Sequence, residues 1–339
     1  MRELYFKTCM RYSIIVPLYN KAPYVRHALD SIISQTYTDW ECIIVDDGST
    51  DDSVAICEEF LSTHYTLNIT HKNIRIISQP NSGVAKARNV GVENSHGQFV
   101  CFLDADDRWE PNYLEEMDRL IKEYPDAGIY CTNYVYYKPG KTHVALNLGR
   151  GYMNYPEAYL HSDAMPIWTG AACMPRIIFD EMGGFPVGIK LGEDFLLWAK
   201  IALHYKVAFC EKPLAYYNND VPAPLRATRN LHAPEHNMLF HLDPIEEEIH
   251  KTSNITHNTS AAWTQLLDKL RINGLMDYWL DERYHNAAAE ELKKVDWSKQ
   301  PRNAKCQYEK PIWTIKAKRR FMQIGSYFKQ KLIKLIGKR

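Results

Sequence analysis

Along the first two hundred residues, short continuous apolar runs alternate with segments whose apolar positions recur every three or four residues. Tyr12–Pro17 (YSIIVP), Trp40–Asp46 (WECIIVD), Ile74–Ser78 and the run beginning at Phe99 are too short for helices and are bounded by polar breakers. Each reads as a strand, and the run at Phe99 as a buried one. Between them, Pro23–Thr36 is predicted as a helix, with Pro23 in its first turn and Val25, Ala28, Leu29 and Ile32 on one face. Further helices are expected over Ser53–His64, from Ser82-Gly83 to about Asn94, over Tyr113–Tyr124, and over Glu193–Tyr205. Phe195, Leu196, Trp198, Ala199 and Ala202 supply the apolar face of the last. Gly128–Tyr137 reads as another strand. This rhythm predicts an α/β protein with a doubly wound, mostly parallel sheet. Residues 139–165 lack a clear period and suggest a loop-rich insertion. After about Pro224 the pattern turns helical without strands, over Pro244–His250, Thr259–Ile272 and Leu275–Lys294. The expected organisation is a sheet domain at 1–223, a smaller helical region at 224–308, and a basic amphipathic tail at 309–339.

Ligands on such sheets bind beyond the carboxyl ends of the strands. Three polar strand ends fall there: Pro17-Leu18-Tyr19-Asn20, Asp46-Asp47-Gly48-Ser49, and Asp104 to Asp107. The segment FVCFLDADDRW is the most informative. Its apolar strand delivers Asp104, Asp106 and Asp107 to one small volume, where like charges repel unless a cation sits among them. Mg²⁺ or Mn²⁺, which take one or two carboxylates plus substrate phosphates, suit that donor set. The competing reading is a solvated acidic turn with an aspartate capping the next helix.

Composition is that of an ordinary globular chain, with 45% apolar and 24% charged residues in 339. Eight cysteines are scattered without zinc-like spacing, and Cys42 and Cys101 fall inside strand-like runs as core residues. A reduced, cytoplasmic setting, no signal peptide and no membrane-spanning segment are expected. Formal net charge is zero but unevenly spread: nine of the basic residues lie between Lys316 and Arg339, a stretch with no Asp or Glu.

SIIVPLYN, VDDGSTDDS, NSGVAKARNVG, FLDADD and LGEDFLLWAKI occur in that order. Together, over about Tyr12 to Tyr217, they resemble the family 2 glycosyltransferases of the GT-A fold, which use nucleotide-activated sugars. The resemblance implies roles for matching residues. Asp47 would face the uracil imide, with Pro17 and Tyr19 packed nearby; a carboxylate oxygen matches that N–H donor. Arg88 would face the diphosphate from the helix opening at Gly83. Asp104 and Asp106 form the DxD element, with Asp106 holding the divalent metal and Asp104 the ribose or the metal's water shell. Asp107 would be a structural cap. Asp194 would be the general base and Glu193 its supporter, an adjacent anion able to raise its basicity. Thr169-Gly170 matches a position lining the acceptor side, and Trp198 is either a sugar-stacking ring or core.

The Q-x-x-R-W element of processive members is missing, and Tyr216-Tyr217-Asn218-Asn219 stands where a Tyr-Arg element is common. Arg226 and Arg229 are then candidates to close over the diphosphate. The expected function is a non-processive, inverting transferase that moves a sugar from a nucleotide-sugar, UDP-linked by the Asp47 argument, to a saccharide or lipid-linked saccharide in surface polysaccharide synthesis. The alternatives are a non-catalytic nucleotide-sugar-binding member and a nucleotidyltransferase, which would want a Gly- and Arg-rich loop after the first strand. A nicotinamide-type dehydrogenase lacks its GxGxxG loop. In the tail, Phe321, Ile324, Phe328, Leu332 and Leu335 recur at helical steps among Lys and Arg. That composition favours an anionic lipid surface over an ordinary docked C-terminal helix or a nucleic-acid-binding tail, and so a peripheral position on the inner face of the cell membrane.

Overall fold

The computed structural model describes residues 10–65, 73–222, 231–252 and 257–316. Arg226, Arg229 and the tail from residue 317 onward lie outside the described residues. In chain order the elements begin β1 (Tyr12–Leu18), α1 (Val25–Ile33), β2 (Trp40–Asp46), α2 (Ser53–Tyr65), β3 (Ile74–Ser78), α3 (Val84–Glu93), β4 (Phe99–Phe102), β5 (Arg108–Trp109) and α4 (Tyr113–Glu123). There follow β6 (Ala127–Tyr137), β7 (His143–Val144), β8 (Gly151–Met153), α5 (Tyr155–Leu160), β9 (Ala172–Pro175), α6 (Arg176–Met182), α7 (Glu193–His204) and β10 (Lys206–Asn218). The chain ends in α8 (Asp243–Lys251), α9 (His257–Gly274), α10 (Met276–Leu280), α11 (His285–Lys293) and α12 (Arg302–Glu309).

The sheet runs β3-β2-β1-β4-β9-β6-β10-β5. Its first four strands are parallel, as the alternation of runs predicts. All seven positions of β1 and of β2 are buried, the signature of a parallel strand covered on both faces. Beyond β4 the sheet becomes mixed. β9 is antiparallel to both β4 and β6, β6 and β10 are parallel, and β5 folds back antiparallel on β10. The short segments β7 and β8 pair with β6 and β10, so the irregular insertion stays bound to the sheet.

Two packing features position the site. Helix α3 lies tight on β1 because Gly91 presents no side chain: a Cβ there would sit 2.3 Å from Ile15 Cγ2. Behind the strand ends, Phe102, Phe185 and Trp198 form an edge-on aromatic chain, with centroids 5.1 and 5.6 Å apart. Trp198 is fully buried there. It is core, and the sugar-stacking alternative for it falls. Cys42 and Cys101 are buried in the strands as expected.

The chain condenses into two units that divide between Leu266 and Leu267. Segment 231–252 belongs to the first, where Leu191 bridges to Asn237 and Lys190 N donates to His236 O. Within the second, the buried Arg271 donates to Glu291 at 3.2 Å and Tyr308 Oη donates to Ile272 O at 2.6 Å. The helix expected over Leu275–Lys294 breaks between α10 and α11. There Asp281 accepts from both the backbone N–H and the guanidinium of Arg283, a local bond that competes with helix continuation.

Candidate active site at the carboxyl edge of the sheet

The loops after β1 and β2 are sewn together. Asn20 sits at a left-handed φ of 51°; its N–H donates to Ser49 Oγ, and its side-chain oxygen accepts from Thr50 N. The N–H of Lys21 donates to Ser53 Oγ at 2.8 Å. Pro17 is buried within β1, while Tyr19, just past the strand, is 46% exposed.

Asp47 is almost fully buried, and its carboxylate organises the turn that opens α3. One oxygen accepts from Gln79 Nε2 at 2.7 Å and Ser82 N at 2.8 Å; the other accepts from Gly83 N at 2.8 Å. A carboxylate at a helix N-terminus is favoured by the orphan N–H groups and the dipole. Three donors leave Asp47 with spare acceptor capacity on the oxygen bonded to Gly83.

Arg88, five residues into α3, is the hub. Its Nη1 donates to Glu193 Oε1 at 2.8 Å and its Nη2 to Asp104 Oδ1 at 2.9 Å. Its side chain is 5% exposed, and its guanidinium carbon lies 5.1 Å from the Phe185 ring centroid. The Arg88 expected to face phosphate is thus committed to two carboxylates, Asp104 just past β4 and Glu193 at the start of α7. Asp106, two residues beyond Asp104, pairs with Lys21 Nζ at 2.5 Å. Burial raises the Asp106 carboxyl above its usual range, and the Lys21 ammonium offsets part of that. Asp107 is buried and accepts from Asn218 N at 2.7 Å, tying the end of β10 to the start of β5. Burial, reinforced by Asp106 and Asp104, pushes its carboxyl well up. Its role is structural, but it caps no helix, since α4 opens at Tyr113 with Asn112 at its N-cap.

Glu193 and Asp194 open α7, and Gly192 sets their direction. Gly192 holds a φ of 83°, and a Cβ there would fall 2.4 Å from Met238 Sδ, so only glycine fits. Glu193 is buried; desolvation first, then the Asp194 charge, push its carboxyl up to about 7 against the pull of Arg88. Asp194 is half-buried. Its Oδ2 accepts from Thr169 Oγ1 at 2.9 Å and its Oδ1 from Phe195 N. The Thr169 turn is itself pinned by Trp109 Nε1, which donates to Gly170 O at 2.6 Å.

Arg88, Asp104 and Glu193 are therefore in direct contact, Asp194 adjoins them in the chain, and Asp106 lies across from Lys21. Lys21 and Gln79 escaped the sequence reading, although Lys21 directly follows SIIVPLYN. Among the described residues no cluster of three or more His, Cys, Asp or Glu side chains is arranged to hold a metal unaided. The pair Asp104 and Asp106, hard oxygen donors at one strand end, fits a divalent cation that draws its remaining ligands from phosphate and water.

The model of glycosyl transferase family 2 matches residues 13–182. Among curated proteins, glycosyltransferase GlyA of Streptococcus pneumoniae is 35% identical over 219 residues, 60% of this chain and 30% of that protein. Chondroitin synthase of Escherichia coli is 39% identical over 122 residues, covering 36% of this chain and 17% of that one. The chain thus spans about a third or less of the length of these relatives. Among solved structures, S. aureus TarS residues 1–349 in complex with UDP-GlcNAc superposes with a TM-score of 0.69 at 20% identity, covering 84% of this chain and 82% of that one. With its strand-end carboxylates, its arginine hub and the matched motifs all on one sheet edge, the chain belongs to glycosyl transferase family 2.

Proposed function

We propose that the chain is a non-processive, inverting glycosyltransferase using a UDP-sugar and a saccharide or lipid-linked saccharide acceptor. The observation that carries this reading is Arg88, which couples the donor-side Asp104 to the acceptor-side Glu193 through one guanidinium. The sheet edge so assembled has two faces with different chemistry. On the donor face, Asp47 offers its remaining acceptor capacity to an imide N–H, beside Pro17 and Tyr19. TarS, of the same fold, binds UDP-GlcNAc and UDP, in keeping with a uridine donor. Asp106 and Asp104 would hold Mg²⁺ or Mn²⁺, which supplies charge neutralisation for the departing nucleoside diphosphate. On the acceptor face, Asp194 keeps lone pairs beyond those used by Thr169 and Phe195 N, and takes the proton of an acceptor hydroxyl as it attacks the anomeric carbon. A single base beside the nucleophile suits direct displacement, hence inversion. Glu193 supports Asp194 from the adjacent position, where Arg88 fixes its side chain. Among the described residues no helix is long and apolar enough to cross a membrane. The likeness to a chondroitin synthase favours a role in polysaccharide synthesis.

The test is a panel of UDP- and GDP-sugars with Mn²⁺, scored by release of nucleoside diphosphate from the purified chain. At least one UDP-sugar should turn over, and UDP should bind more tightly than GDP by calorimetry. Tighter GDP binding would remove the uracil assignment; no turnover with any donor, alongside measurable binding, would favour the non-catalytic alternative.

A further inference from the structure

We propose that Lys21 is a built-in counter-ion for Asp106 that competes with the divalent cation, so that the metal binds together with the donor diphosphate and only weakly alone. The inference rests on the reading of Asp106 as a metal ligand.

The two carboxylates of the strand end are neutralised in different ways. Asp104, itself 29% exposed, is held by Arg88, a planar fork whose side chain is 5% exposed and whose other arm is fixed on Glu193. That cation cannot leave without stranding two acids. Asp106 is held by a lysine at 2.5 Å, with both side chains 17% exposed. A lysine is a compact point charge on a flexible four-carbon stem and can swing away at modest cost. Its backbone cannot move as freely: Lys21 N is bonded to Ser53 Oγ, and its carbonyl accepts from Tyr24 N and Val25 N at the start of α1. The preceding Asn20 is held at positive φ by bonds to Ser49 and Thr50. The loop therefore keeps the ammonium within reach of Asp106 whether or not it is bound there.

The charge balance then sets the order of events. Lys21 is bonded to Asp106, while Arg88 is shared between Asp104 and Glu193. A divalent ion arriving alone must push the Lys21 ammonium off Asp106 while the loop still holds it nearby, like charge against like charge. A diphosphate arriving with the ion brings the compensating negative charge and offers the displaced ammonium a new partner.

The experiment titrates MnCl₂ into the full chain and follows free Mn²⁺ by electron paramagnetic resonance, without nucleotide and then with saturating UDP. Without nucleotide, the wild type should bind Mn²⁺ weakly, and Lys21→Gln and Lys21→Met should tighten it by about tenfold or more, as loss of an opposing charge at this distance requires. Lys21→Arg should stay near the wild type. With UDP the gap between wild type and Lys21→Gln should shrink. Two variants of different shape, each checked for folding by circular dichroism, guard against misfolding of either. If UDP promotes Mn²⁺ binding to the wild type yet both neutral variants bind nucleotide-free Mn²⁺ no tighter than it does, Lys21 is not a competitor, and the metal reading of Asp106 survives. If no form binds Mn²⁺ even with UDP, the metal reading fails and takes this proposal with it.

Discussion

Arg88 donates to Glu193 at 2.8 Å across 105 residues of sequence, in a site where their side chains are 5% and 10% exposed. Removing one partner of such a pair strands a buried charge, at a cost of about 3–5 kcal/mol. Arg88→Met should lose stability of that order in urea unfolding. Arg88→Lys keeps the charge but reaches one carboxylate at a time, so it should fall between the two. Wild-type stability in Arg88→Lys would mean the fork geometry is unimportant.

Glu193 carries a pH signature. Its carboxyl titrates at about 7 in the folded chain, against an ordinary 4.5. The folded state holds a proton that the unfolded chain has given up between those values. The associated stability is complete below the lower value and is lost as pH rises through the upper one. Glu193→Gln cannot titrate. Its melting temperature relative to the wild type should therefore climb between about pH 5 and about pH 8. Parallel curves across that window would place the raised pKa elsewhere.

Asp194→Asn should keep donor binding and lose turnover. The amide preserves the bond from Thr169 Oγ1 but cannot take a proton, so kcat should fall by about 10²–10⁴ with donor affinity unchanged. Near-normal kcat would move the base, with Glu193 the first residue to examine.

The parallel half of the sheet and the aspartate-tipped strand were legible because burial on both faces writes continuous apolar runs into the sequence. Cys42 and Cys101 as core residues followed from their places in those runs; Asp107 was expected as a cap and instead accepts from Asn218 N. What could not be read was partnership. Lys21 meets Asp106 across 85 residues, and nothing periodic marks a lysine in a polar turn as facing inward. Arg88 in the motif suggested phosphate, yet its partners are two acids that meet only once α7 is packed. The antiparallel β9 is four residues long, too short for alternation to declare itself. The helix break at Asp281 depends on one side chain competing with the backbone, which a three-to-four-residue period does not register.

From residue 317 onward the basic tail lies outside the described residues, so its expectation rests on composition. Tyr308 is buried and bonded to Ile272 O, so a truncation that tests the tail must spare it. Ending the chain after Lys316 should leave catalysis intact and reduce binding to vesicles rich in anionic lipid. Each Lys or Arg near such a surface contributes about 1 kcal/mol, and the difference should fade as salt rises. Equal vesicle binding by both forms would end the membrane reading.

The antiparallel course of β9 has an evolutionary consequence. β9 begins beside the end of β4, so the excursion over residues 138–171 starts after β6, is tied to β6 and β10 through β7 and β8, and returns as the turn that holds Asp194. Its length and contents can be rewritten without re-pairing β3, β2, β1 or β4. On the proposed reading of Asp194, a lineage can exchange its acceptor by editing one contiguous stretch of gene while leaving in place the strands that carry the donor-side residues.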